Sequence, residues 1–181
     1  MAPPYQISNH RLPSSARDLI LRKMEVVGWR YAARHVDCIH ELWARAVAAA
    51  IANQPITYSR WVSGIEFVIP TVNDGQGFHI NVAAWRPLDS QIAGDFASFM
   101  SARSYFECGG LISAFIIGKE PNQPSPAFFE WAANVRVTRS LSDEGSRLSF
   151  WIKQMRIVHE HYASCSGTSG RSDSTEHKSG H

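Results

Sequence analysis

YSRWVSGIEFVI, residues 58–69, decides how the middle of this chain is read. Trp61, Ile65, Phe67 and Ile69 share one parity, and apolar residues on alternate positions mark a strand with one buried face. TVNDGQG (71–77) follows, rich in turn formers, and FHINVAAW (78–85) alternates again. The pattern predicts a β-hairpin. Matching the apolar faces pairs Ile65 with Val82, Phe67 with Ile80 and Ile69 with Phe78. Glu66 then lies opposite Asn81, and Val68 opposite His79, on the other face. A slip of one residue would invert both faces, which argues for this register.

Upstream, the period is helical. Ser15 offers an N-cap oxygen with Asp18 three residues on. Ile20, Met24, Val27, Tyr31, His35, Cys38, Leu42 and Ala46 continue at steps of three and four, predicting helix from about residue 15 to Asn53 with a kink or break at Gly28. ELWARAVAAAIANQ (41–54) is alanine-rich, which favours helix, and Pro55 ends it. Downstream, Pro87 and Asp89 open a second helix, buried through Ile92, Phe96, Phe99 and Met100 and fading near Arg103.

GLISAFIIG (110–118) and FFEWAANVRV (128–137) read as a second hairpin joined by the proline-rich KEPNQPSP. Phe129, Trp131, Ala133, Val135 and Val137 would form one face of its second strand. Ser142 can cap a last helix, with Asp143 and Glu144 in its first turn, where the helix dipole favours acids. Leu148, Trp151, Ile152, Met155, His159 and Tyr162 fit its inner face. The expected fold is α+β, an antiparallel sheet of two hairpins covered by helices in the order α-β-β-α-β-β-α. Residues 1–14 read as a flexible N-terminal arm, 15–163 as a single domain, and the serine- and glycine-rich 164–181 as a disordered tail.

The 181 residues suit one domain with a hydrophobic core. Eighteen basic against 16 acidic residues leave a net charge of +2, which implies no strong field towards nucleic acid or membrane. Cys38, Cys108 and Cys165 are odd in number and widely spaced, so reduced thiols and a cytoplasmic location are expected. No apolar leader opens the chain, and no run of about 20 apolar residues suggests a membrane span.

RHVDCIHE (34–41) concentrates metal-ligating residue types. His35 and His40, five apart, diverge by about 140° on a helix and cannot share an ion, whereas His35 and Cys38 share the apolar face. His159 and His161 would share a face on a strand but not on a helix, and the helical period holds there. A transition metal therefore enters only as a mixed site, His35 or Cys38 with His159 and with His79 or Glu66; no cofactor is otherwise predicted. Glu66 beside His79 and Asn81 is also a general-base candidate, against the simpler expectation of a solvated hairpin face.

Arg22, Lys23, Arg30 and Arg34 make a basic streak on the first helix, with Arg136, Arg139 and Arg147 forming a second cluster. With Trp29 and Trp85 as exposed stacking rings, they are candidates for nucleic-acid contact, although basic streaks usually solvate a helix. Three functional classes follow. The first is a non-catalytic cytoplasmic interaction or regulatory domain binding a protein or nucleic-acid partner, with no membrane involved. The second is a metal-assisted hydrolase or nuclease using histidines from several segments. The third is a small-molecule binding domain, marked by a cavity lined by Trp61, Phe67, Phe129 and Trp131.

Overall fold

Helices carry most of the described chain. The computed structural model describes residues 14–27, 29–32, 36–139 and 141–167. In chain order these form α1 (Ser14–Val27), α2 (Val36–Ile51), β1 (Ile56–Thr57), α3 (Tyr58–Val62), β2 (Glu66–Phe67), β3 (Phe78–His79), α4 (Pro87–Cys108), β4 (Ile116–Ile117), α5 (Pro126–Asn134) and α6 (Glu144–Gly167). The expected sheet of two antiparallel hairpins is not formed: β1 pairs with β4 in parallel, and β2 with β3 antiparallel, as two separate two-residue ladders. No helix among the described residues is long and apolar enough to cross a membrane.

The stretch that opens the middle of the chain changes period within itself. Thr57 caps α3 by accepting the N–H of Arg60, and Tyr58 to Val62 coil into a helical turn where a strand was expected. Trp61, Val62 and Ile65 are buried at helical spacing, and only Ile65, Phe67 and Ile69 then alternate. A first hairpin does follow, with Glu66 opposite His79 and Phe67 opposite Phe78. Its register lies two residues from the expected one. An even shift keeps the faces, so Ile69 and Ile80 stay buried, while Val82 is left exposed beyond the ladder.

The second hairpin is absent. Phe128, Phe129, Ala132 and Val135 are the buried positions, a helical 1-3-3 spacing, and Pro126 occupies the first turn of α5, where its missing N–H is harmless. Ile116 instead pairs with Ile56, and Ile117 with Thr57, far upstream. Residues 112–115 before them form a 3-10 turn, and everything from Leu111 to Ile117 is buried.

This irregular segment is the centre of the molecule. Leu111 and Ala114 join a core with α1, α5 and the start of α6, while Ile112, Phe115 and Ile116 join another with α2, α3 and α4. Irregular backbone cannot pair with itself, so neighbouring side chains supply its partners. Leu111 N–H donates to Gln154 Oε1 (3.0 Å), Ile112 N–H to Ser104 Oγ (2.8 Å) and Ser113 N–H to Ser101 Oγ (3.1 Å). Ser104 Oγ donates to the Gly110 carbonyl and Trp151 Nε1 to that of Ala114, each at 2.8 Å. Gly110 is held against α6 so closely that an added Cβ would lie 2.7 Å from a methyl of Val158.

α1 ends at Val27 and residues 29–31 are not helical, while Gly28, where the break was expected, and residues 33–35 lie outside the described residues. The Asp95 carboxylate accepts the N–H groups of Arg30, Tyr31 and Ala32 at 3.1, 2.7 and 2.8 Å, pinning this connection to α4. Ser15 lies in α1 with its side chain outside the described residues. α4 runs past Arg103 to Cys108 and stops at Gly109, whose φ of +79° is left-handed. α6 buries Phe150, Gln154, Val158 and Tyr162, four apart. Leu148 and Ile152, expected inside, are exposed. It continues through residues 164–167, and 168–181 lie outside the described residues.

Candidate functional site

α2, α4 and α6 leave a groove of about 520 Å³ between them. Each helix contributes roughly one turn: Trp43 and Val47 from α2, Arg103 to Glu107 from α4, and His161 to Cys165 from α6. The i, i+4 spacing in each helix aims these pairs the same way. Trp43 and Tyr162 meet edge to face with ring centroids 6.0 Å apart. The Arg103 guanidinium sits 4.2 Å from the centroid of Trp43 and donates to Glu107 Oε1 at 2.9 Å. Tyr162 donates its hydroxyl to the other Glu107 oxygen at 2.6 Å. Phe106, 64% exposed, stands at the rim.

Burial sets the electrostatics of the groove. Burial and the hydrogen bond to Glu107 push the Tyr162 phenol far above its ordinary range, so it remains a donor. Burial lowers the His161 imidazole, partly offset by the charge of Glu107, and keeps the ring neutral near pH 7. Cys108, behind the groove, is pushed up to about 11 by burial, and its thiol lies 3.2 Å from the Ser104 carbonyl. A thiol so protonated is a poor nucleophile. Both oxygens of Glu107 are engaged, one by Arg103 and the other by Tyr162.

A second, smaller hollow of about 280 Å³ lies between the end of α1, the middle of α4 and α5. Trp29, Tyr31 and Trp131 wall it, with Asp95 beneath. Trp29 packs edge-on against Phe99 at 5.2 Å.

The residues singled out in the sequence are dispersed. Glu66 and His79 do come opposite each other across β2 and β3, on an exposed face. His79 Nδ1 lies 2.9 Å from the Ile65 carbonyl and serves as its donor, which fixes the ring. His159 likewise meets the Ala50 carbonyl at 2.8 Å and ties α6 to α2. Cys38 is buried in α2; His35 and Arg34 lie outside the described residues. Among the described residues no three His, Cys, Asp or Glu side chains are grouped to hold a metal. His159 and His161 share a helix and diverge around it.

Arg22, Arg30, Arg136 and Arg139 are exposed and Lys23 is half-buried, on α1, the connection after it and the turn after α5. Arg30 stacks on Tyr31 at 5.3 Å. Trp29 and Trp85, expected to be exposed, are half-buried, and Trp85 donates to Ser59 Oγ. Trp61 and Phe67 pack in the core instead of lining a cavity, whereas Trp131 borders the smaller hollow and Phe129 borders another of about 200 Å³ beside Arg147. Arg103, Glu107 and Tyr162 were not singled out together in the sequence. The readable signal was the i, i+4 pairing of Arg103 with Glu107, hidden by ending that helix too early.

No protein-family model, curated protein or solved structure matches this chain.

Proposed function

We propose that the protein is a non-catalytic binding domain whose groove between α2, α4 and α6 takes a compact, mostly apolar small molecule. The observation that carries this is the shape of the groove: one turn from each of three helices, about 520 Å³, with aromatic walls and a few convergent polar groups. That volume falls within the roughly 300–1,000 Å³ of small-molecule sites. A docked partner helix would need anchors over two or more turns, a longer trough than one turn of each helix supplies. Arg103, Glu107 and Tyr162 brace the wall against collapse, and neutral His161 offers a polar contact without a fixed charge. A reducing, cytoplasmic setting suits the protonated thiol of Cys108 beside exposed Cys165 at the groove's edge.

The test is a fluorescence titration of the full chain with 1-anilinonaphthalene-8-sulfonate. One saturable site is expected, with energy transfer from the groove tryptophan. Val47→Trp fills the groove and should weaken the dye by about tenfold or more, a loss of at least about 1.4 kcal/mol, while the thermal midpoint shows that the variant folds. No saturable binding, or equal affinity in a folded Val47→Trp protein, would refute the reading.

A further inference from the structure

Among the described residues, Arg45, Arg86 and Arg103 each pair with a carboxylate, but they spend their donors differently. Arg45 gives Nη2 to Glu41 at 2.6 Å and Nη1 to the carbonyls of Arg60, Trp61 and Ser63. Arg86 gives Nε and Nη2 to Asp89 at 3.1 and 2.8 Å. Arg103 gives only Nε to Glu107, and its two terminal nitrogens meet no hydrogen-bond acceptor among the described residues. Its side chain is 51% exposed, in the wall of the groove between α2, α4 and α6.

Two contacts fix the place of that unspent edge. The guanidinium lies 4.2 Å from the Trp43 centroid, a contact that uses the face of the cation and leaves its in-plane N–H groups available. Glu107 holds Nε through one oxygen while Tyr162 donates to the other, so the carboxylate cannot turn to cover Nη1 and Nη2 without giving up the phenol. Trp43, Glu107 and Tyr162 all line the groove, which sets the guanidinium among them with its terminal fork open. Such a fork matches the paired oxygens of a carboxylate, sulfonate or phosphate. A cationic ligand has no counterpart here, because both Glu107 oxygens are already taken. The remaining wall, Trp43, Val47 and Phe106, is apolar and suits an uncharged body.

We propose that the groove takes an apolar molecule with a single oxyanion head, its body against Trp43, Val47 and Phe106 and its head on the Nη1–Nη2 edge of Arg103. This ligand class rests on the small-molecule reading of the same groove.

Fluorescence titration of the full chain with two dyes that differ by one sulfonate, 1-anilinonaphthalene-8-sulfonate and the uncharged N-phenyl-1-naphthylamine, tests it. Arg103→Gln should weaken the sulfonate by about tenfold or more and the uncharged dye by less than about twofold. An unmoved uncharged dye shows that the groove itself is intact. Arg103→Lys keeps the charge without the fork, and should weaken the sulfonate by about threefold, the uncharged dye again unmoved. It carries the test if Arg103→Gln does not fold. Equal changes for both dyes, or an unchanged sulfonate in a folded variant, would overturn the oxyanion class and leave the small-molecule reading standing. So would saturable binding of the uncharged dye alone to the unmodified chain. Saturable binding of neither dye would overturn both.

Discussion

Gln154 carries a polar side chain into the interior of α6, 3% exposed, to accept the N–H of Leu111. In the sequence it lies off the stripe of Trp151, Met155 and Tyr162 and looks like a solvent residue. Its burial follows only from the position of residue 111, which no periodicity in α6 reveals. Gln154→Leu should keep the volume and leave the Leu111 N–H buried without an acceptor. Chemical denaturation should show an unfolding free energy lower by about 1–3 kcal/mol, seen as a lower midpoint with the slope unchanged. Ser98→Ala removes a helix-surface hydroxyl that bonds only to Gly94 within α4, and should change stability by less than about 0.5 kcal/mol. Equal effects would mean that buried donor satisfaction is not what Gln154 contributes.

At the scale of elements, legibility follows length. α1, α2, α4 and α6 all span 14 residues or more, and their existence was readable from the period of their apolar positions. α3 and α5, at 5 and 9 residues, were read as strands, because a short aromatic run fits either period. Phe128-Phe129 is the residue pair that discriminates: adjacent buried rings fit one helical face and cannot share one strand face. The start of α4 was readable from Pro87 and Asp89, and its chemistry is electrostatic. Asp89 is buried and accepts from the Arg86 N–H at 2.9 Å and the Arg86 guanidinium at 2.8 and 3.1 Å.

The Arg86 hydrogen bond holds the Asp89 carboxyl below the usual carboxylate range, against a smaller opposing effect of burial. A depressed folded pKa stabilises above the unfolded value, about 3.9, and that stabilisation is lost as pH falls through the folded value. Asp89→Asn should therefore be less stable than the natural chain at pH 7, with the gap closing below about pH 4. Thermal melts across pH 2.5–7 check the sign; a gap that widens on acidification would contradict it.

For the whole molecule, the decisive stretch is Leu111–Ile117, whose side chains enter both cores. An apolar run bounded by glycine is readable as buried, but neither its 3-10 conformation nor its parallel partner some sixty residues upstream leaves a local trace. The candidate groove was illegible for the same reason. Trp43, Glu107 and Tyr162 meet where α2 and α6 pack on each other and both pack on this segment, a long-range arrangement. If one irregular segment fastens both cores, neither should unfold alone. Leu111→Ala opens a void in the core shared with α1 and α5, and Phe115→Ala in the core shared with α2 and α4. Each should lower stability by about 2–5 kcal/mol. Urea transitions followed by helix dichroism and by tryptophan emission should still coincide in both variants, since a shared wall makes the two cores one cooperative unit. Separate transitions in Leu111→Ala, with tryptophans of one core released before those of the other, would show that the cores are independent and that the segment only lies between them.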